Sequence, residues 1–156
     1  MKNFNITQIG VIHSPYKTKQ QCPIQGMTAP DSTGEIEIYP EYKDGLKTIE
    51  LFSHIILFYI FDQAGEVILC RKPFLDDTPH GVFASRHPCR PNGIGISIVK
   101  LEQKKDNILT VSSIDTLDNT PLIDIKPYVP KFDFRENVNN GWLDQKAIRA
   151  KPPGRE

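Results

Sequence analysis

Apolar residues recur at every second position in short runs along this chain, and a helical period appears in one brief stretch only, so the fold has to be assembled from strands. Residues 5–13 alternate around Ile6, Ile9, Val11 and Ile12 and stop at Ser14-Pro15, which reads as a strand followed by a turn. Residues 34–39 alternate again. Residues 40–50 are the helical exception, an amphipathic stretch with Leu46, Ile49 and Leu51 on its apolar side. The run 52–61 is β-branched and aromatic, suited to a central strand buried on both faces, and it ends at the polar Asp62-Gln63-Ala64-Gly65. A short apolar run at 67–70 and a restarted strand at 81–84 follow. Residues 94–101 and 108–114 read as a hairpin through the charged turn 102–107, and residues 121–125 add a last short strand. Strands at such short spacing, with one modest helix, predict a mostly β, compact barrel-like single domain over residues 1–156. The repeated strand-helix alternation of a doubly wound sheet is missing. The tail, 133–156, is less regular, with Trp142 as its expected docking anchor.

A chain of 156 residues with 38% hydrophobic content can bury one real core and has no room for two. Its 19 basic residues are balanced by 19 acidic ones, so a polyanion would have to be met by a local patch and not by bulk charge. The longest apolar stretch, 55–61, is far short of the roughly 20 residues that cross a bilayer, and the N-terminus has no signal-like run. Cys22, Cys70 and Cys89 are an odd number without a CxxC, the pattern of reduced thiols in a cytoplasmic protein. No zinc spacing is present, and no metal site is expected.

Two constellations could carry chemistry. In GVFASRHPCRPNGIGIS, residues 81–97, Arg86 and Arg90 are set among Pro88 and Pro91-Asn92-Gly93. Arginine offers a planar fork to carboxylate or phosphate, and the prolines pre-set the backbone, which is how a rigid anion-binding loop is built. A rigid turn whose arginines pair with surface acids is the plainer alternative. The Gly93-Ile-Gly95 spacing is not a dinucleotide fingerprint. The second constellation begins with the turn Asp118-Asn119-Thr120-Pro121 and continues into Asp124, Lys126 and Tyr128, which a period-two strand would place on one face. Residues 17–34 form a long irregular segment of the kind that often carries function. His54 reads as a core or interface histidine, His13 and His80 as surface residues, and Phe58, Tyr59 and Phe61 as core and dimer interface.

These residues resemble the tRNA-methyltransferase O family, also called TsaA-like or YaeB-like. Its arginine-proline-asparagine signature stands here at 81–97, and its later L-D-G-T-P-x-x-D-I-K-P-Y-x-P signature at 117–130, in the same order. Ile9-Gly10, Ser14-Pro15-Tyr16, Pro23-Ile24-Gln25 and Phe52-Ser53-His54 are further echoes. The chain departs from the pattern at Ile24, His87, Cys89, Gly93 and Asn119, and it ends without the C-terminal domain of longer bacterial members. The resemblance implies a non-Rossmann β-barrel homodimer that uses S-adenosyl-L-methionine to methylate N6 of threonylcarbamoyl-modified adenosine in tRNA. It implies cofactor contacts from Pro23, Ile24, Gln25, Asp62, Gln63, Arg86, Ile96, Asp118, Asn119, Thr120 and Pro121. By their chemistry, Asp124 and Tyr128 are catalytic candidates as proton acceptors, and Arg90, Asn92 and Lys126 are candidates for substrate binding. Two rivals share the cofactor: a methyltransferase acting on a small molecule or other acceptor, and a binding module without turnover.

Overall fold

The computed structural model describes residues 1–152. Six strands close into one antiparallel barrel: β1 (Gly10–His13), β2 (Thr33–Ile38), β3 (His54–Ile60), β6 (Ile94–Lys105), β7 (Ile108–Ser112) and β8 (Thr120–Pro127). The order around the barrel is β1-β2-β7-β6-β3-β8, with β8 pairing back onto β1. Closure gives each of the six strands a neighbour on both sides in the barrel order. Two two-residue strands, β4 (Cys70–Arg71) and β5 (His80–Gly81), pair outside it.

The long strands turn the barrel's corners. β6 pairs β3 through its first half and β7 through its second, with a register shift between Leu101 and Gln103. β8 pairs β1 through Thr120–Leu122 and β3 beyond, with the register shift between Phe58 and Tyr59 on the β3 side. One extra residue at each shift bends the strand and lets it serve two neighbours. Inside, Ile12, Ile36, Ile55, Leu57, Val99, Leu109, Val111, Ile114 and Leu122 are fully buried.

Several elements differ from the sequence reading. β3 is not buried on both faces: Ile55, Leu57 and Tyr59 point into the core, while Ile56, Phe58 and Ile60 are half-buried outside. Among the described residues no helical layer covers the barrel, so a strand rich in apolar residues still has an outer face. The 40–50 stretch is two 3-10 turns, Pro40–Leu46 and Ile49–Leu51, broken at Thr48 with φ 67°. Leu46 and Ile49 bury as expected and Leu51 does not. At 81–84 the chain makes the 3-10 turn Val82–Ala84 instead of a strand. The β6-β7 hairpin turns tightly at Asp106-Asn107, with Asp106 at φ 56°, so β6 outruns the expected 94–101.

The tail docks as expected. Trp142 donates its Nε1–H to the Ala84 carbonyl at 2.7 Å and stacks on His80, whose Nε2 meets Asp76 at 3.0 Å. His80 is thus a packing partner and not a surface residue. Lys146 reaches the same Asp76, whose carboxyl is held well below its usual range by the His80 contact first.

Candidate functional site at one mouth of the barrel

Antiparallel order puts the end of β1, the start of β2, the end of β3, the start of β6, the end of β7 and the start of β8 at the same end. The three connections that leave there, 14–32, 61–93 and 113–119, contain every residue expected to bind cofactor except Ile96, Thr120 and Pro121, which lie at the starts of β6 and β8 beside them. Pro23, Ile24, Gln25, Asp62, Gln63, Arg86, Asn92 and the Asp118–Pro121 turn therefore gather at one mouth, though they are far apart in the chain.

Hydrogen bonds tie these connections to each other. Arg86 Nη1 donates to Gln25 Oε1 at 2.9 Å. The Phe61 N–H donates to the Gly93 carbonyl at 2.8 Å, which seats the Asp62-Gln63 turn beside the arginine loop. Asn92 and Gly93 follow each other at φ 67° and 59°, a left-handed path that a proline at position 93 could not take. The Asp118 carboxylate is held by Lys17, by the Ser14 N–H at 3.0 Å and by Asn119 Nδ2 at 2.9 Å. Lys17 is the main reason its pKa lies below the usual range. Thr120 is buried and donates its hydroxyl to the Leu117 carbonyl. The turn is thus braced by its own side chains and offers backbone, with Asn119 at φ 62° and exposed.

Arg86 is exposed and makes no ion pair among the described residues. Arg90 is half-buried and donates to the Ser85 carbonyl at 3.0 Å, which makes it a brace of the loop. Cys89 is buried within that loop, and its N–H donates to His87 Nδ1 at 3.1 Å. The His87 Nε2 is buried and has no partner among the described residues. Burial first, then Arg71 and Arg90, bring the His87 pKa down to about 4. The Cys22 thiol is pushed up to about 11 by burial, which favours its protonated form.

The Asp124, Lys126 and Tyr128 trio is only partly assembled. Asp124 and Lys126 share the outer face of β8 as a 2.6 Å ion pair, with Lys126 Nζ 5.7 Å from the centre of the Phe58 ring. Asp124 lies opposite Phe58, which lies opposite Ile96, so Asp124 stands two strand spacings, roughly 10 Å, from an expected cofactor contact. Tyr128 follows the end of β8 and packs edge-on against His54, at the opposite end of β3 from the mouth.

Sequence reasoning missed the residues beneath the mouth. Tyr59 OH lies 3.1 Å from Ser97 Oγ, Ser97 Oγ donates to Asp115 Oδ1, and Asp115 Oδ2 accepts the Gly26 N–H at 2.7 Å. Burial raises the Asp115 pKa, opposed by the Ser97 and Gly26 donors. Burial also raises that of Tyr59, with the nearby Asp115 charge adding to it. A signal was present: Ser97 occupies an inward position of β6 between Gly95 and Val99, a polar residue on the core side of an alternating strand.

A small closed barrel, with its long loops gathered at one mouth around a guanidinium that makes no ion pair and with no nucleotide-binding βαβ unit among the described residues, has the architecture of a loop-built ligand-binding barrel. Residues 11–134 match the family described as tRNA-methyltransferase O N-terminal domain, and the chain belongs to that family. It is 52% identical over 150 residues to a Pyrococcus abyssi protein described as "Probable S-adenosyl-L-methionine-binding protein", covering 94% of this chain and 82% of that one. The tRNA (adenine(37)-N6)-methyltransferase of Escherichia coli is 39% identical over 140 residues, 83% of this chain and 60% of that enzyme. A crystal structure of TrmO is similar with a TM-score of 0.79 at 38% identity, over 90% of this chain. The chain spans 64% of the length of that TrmO chain.

Proposed function

We propose that this chain is an S-adenosyl-L-methionine-dependent methyltransferase whose acceptor is N6 of a threonylcarbamoyl-modified adenosine in tRNA. The observation that carries the reading is Arg86, a guanidinium with one neutral partner, at the mouth where the expected cofactor residues converge. Its remaining N–H groups suit the carboxylate of an amino-acid moiety. The Asn119–Pro121 backbone and Gln25 suit the polar edges of a nucleoside, and the exposed Ile96 suits an apolar ring face. The donor set therefore fits the cofactor. When bound, S-adenosyl-L-methionine supplies a methyl group made electrophilic by its sulfonium.

The residues at the mouth then have to align an exocyclic nitrogen with that methyl, and orientation supplies most of the rate. Of the two candidate proton acceptors, Asp124 is favoured because it lies nearer the expected cofactor contact, one strand beyond Phe58 from Ile96. A role for Tyr128 requires the far end of β8 to be brought to a mouth by a second subunit. Asn92 is exposed at the rim, and Lys126, already paired to Asp124, is placed to meet a substrate anion only as part of that pair.

The second subunit is expected on the outer face of β6 and β3. Ile94, Ile96 and Ile98 are 38%, 38% and 46% exposed there, beside the half-buried Ile56, Phe58 and Ile60. Such a continuous apolar row is costly to leave in water. Ile98→Asp is expected to raise the dimer dissociation constant by at least about tenfold, because dimerisation would bury its charge. Sedimentation equilibrium checks this, and a wild-type chain that runs as a monomer overturns it.

The deciding experiment is calorimetric titration of the protein with S-adenosyl-L-methionine, with Arg86→Ala alongside. Micromolar binding is expected, weakened by roughly 10- to 100-fold in the variant through loss of a charge-assisted contact. No binding at millimolar cofactor overturns the reading. Methyl transfer to modified tRNA that falls steeply with salt separates the tRNA acceptor from a small one.

A further inference from the structure

We propose that Asp115 is a positioning residue: its carboxylate latches the loop carrying Gln25 onto the barrel and so sets the geometry between Gln25 and Arg86. The proposal rests on the reading of that pair as part of the cofactor site.

Beyond β7 the chain passes through Ser113 at φ 66°, drives Ile114 into the core, and leaves Asp115 beneath the long loop. The two carboxylate oxygens are taken by donors from two different elements. Oδ1 accepts Ser97 Oγ–H from β6, and Oδ2 accepts Gly26 N–H from the loop at 2.7 Å. Ser97 is itself braced by Tyr59, whose ring lies in the core. On the other side, Gly26 directly follows Gln25, whose side chain accepts from Arg86. One hydrogen-bonded path thus runs from the core through Tyr59, Ser97, Asp115, Gly26 and Gln25 to the guanidinium.

The seat is tight as well as polar. A Cβ at Gly26 would fall 2.0 Å from the Ser113 carbonyl oxygen, so this residue reaches Asp115 only because it has no side chain. Packing alone does not explain the carboxylate. Desolvation disfavours a buried charge, and Asp115 has no direct ion pair among the described residues; the Ser97 and Gly26 donors and the more distant Arg86 charge only partly offset that cost. What the carboxylate adds over an apolar side chain is a charge-assisted acceptor that fixes one backbone amide.

The test combines amide hydrogen exchange in cofactor-free protein with calorimetric titration by S-adenosyl-L-methionine. Asp115→Ala is expected to speed exchange of the Gly26 amide by at least about tenfold, leave the β3 and β6 amides protected, and raise the cofactor Kd by about tenfold or more. Asp115→Asn can still accept from Gly26 and meet Ser97, and should restore both to within about threefold. Gly26→Ala should weaken the cofactor to a similar degree. Its combination with Asp115→Ala should add nothing, since both release one latch. Unchanged Gly26 exchange in Asp115→Ala, additive losses in the double variant, or an Asn variant as weak as Ala overturns the proposal. Should Asp115→Ala fail to fold, a Gly26→Ala protein with unchanged cofactor affinity, or an Asp115→Asn protein weakened by more than about tenfold, overturns the proposal instead. A wild-type protein that binds no cofactor defeats the methyltransferase reading, while the exchange data still judge the latch.

Discussion

Gly95→Ala is expected to destabilise the barrel by about 3 kcal/mol, the upper range for forcing an extra carbon into a packed core. Gly95 lies directly across from Tyr59 in the β3-β6 ladder, and the tyrosine ring folds over it. A Cβ there would sit 2.2 Å from Tyr59 Cε2 and 2.6 Å from Cζ. The ring has nowhere to retreat. It is 4% exposed, edge-on to Phe61 at 5.3 Å, and held at its hydroxyl by Ser97. Moving it would also remove the support beneath Ser97 and Asp115, so cofactor affinity should fall along with stability. Urea denaturation of Gly95→Ala, Tyr59→Leu and the double variant measures the effect. The double should lose less than the sum of the singles, because the smaller side chain relieves the clash. A Gly95→Ala protein within about 0.5 kcal/mol of wild type would show that the ring is not clamped as described.

Acid should destabilise this protein through His87 by on the order of 3 kcal/mol between pH 7.5 and pH 4. In the folded chain the imidazole is neutral. Nδ1 accepts the Cys89 N–H, the ring is 8% exposed, and its pKa is brought down to about 4 from an ordinary 6.5. As pH falls below 6.5 the unfolded chain takes up a proton that the folded chain refuses, so stability is lost until the folded pKa is reached. Above 6.5 the stabilisation is complete. His87→Ser cannot titrate there. The stability difference between wild type and variant should therefore shift by about that amount across the window, while the carboxylates common to both cancel. Parallel pH profiles for the two proteins would refute the assignment. At neutral pH the variant also removes the buried Nε2–H that has no partner among the described residues.

The arginine loop shows how far sequence reading reaches into the site. Sequence marked Arg86 and Arg90 together as candidates for an anion or for a rigid turn, because residue type and spacing report what a loop can offer. Their division of labour was not legible. Arg90 spends a guanidinium N–H on Ser85, five residues away, whereas Arg86 meets Gln25 from a separate segment. The same holds for Asp118, legible as a turn residue but committed to Lys17 and Ser14 from the first loop. For the Asp124 to Tyr128 face, alternation placed Asp124 and Lys126 together and failed at Tyr128, because β8 ends at Pro127.

By itself the sequence determined most of the barrel strands and the class of fold, though not the bounds of β6 or the 3-10 turn at Val82–Ala84. Period-two alternation is a local property, written wherever one face of a strand must be apolar. Its signatures likewise marked the segments that carry the site, since turn chemistry and arginine loops are local too. Tertiary structure alone decided that β3 has a free outer face, that three distant loops open at one mouth, and that Ser97, Asp115 and Gly26 meet. Those facts depend on closure of the barrel and on the register of its pairs. Register is set by contacts between residues far apart in the chain, and no window of sequence contains both partners.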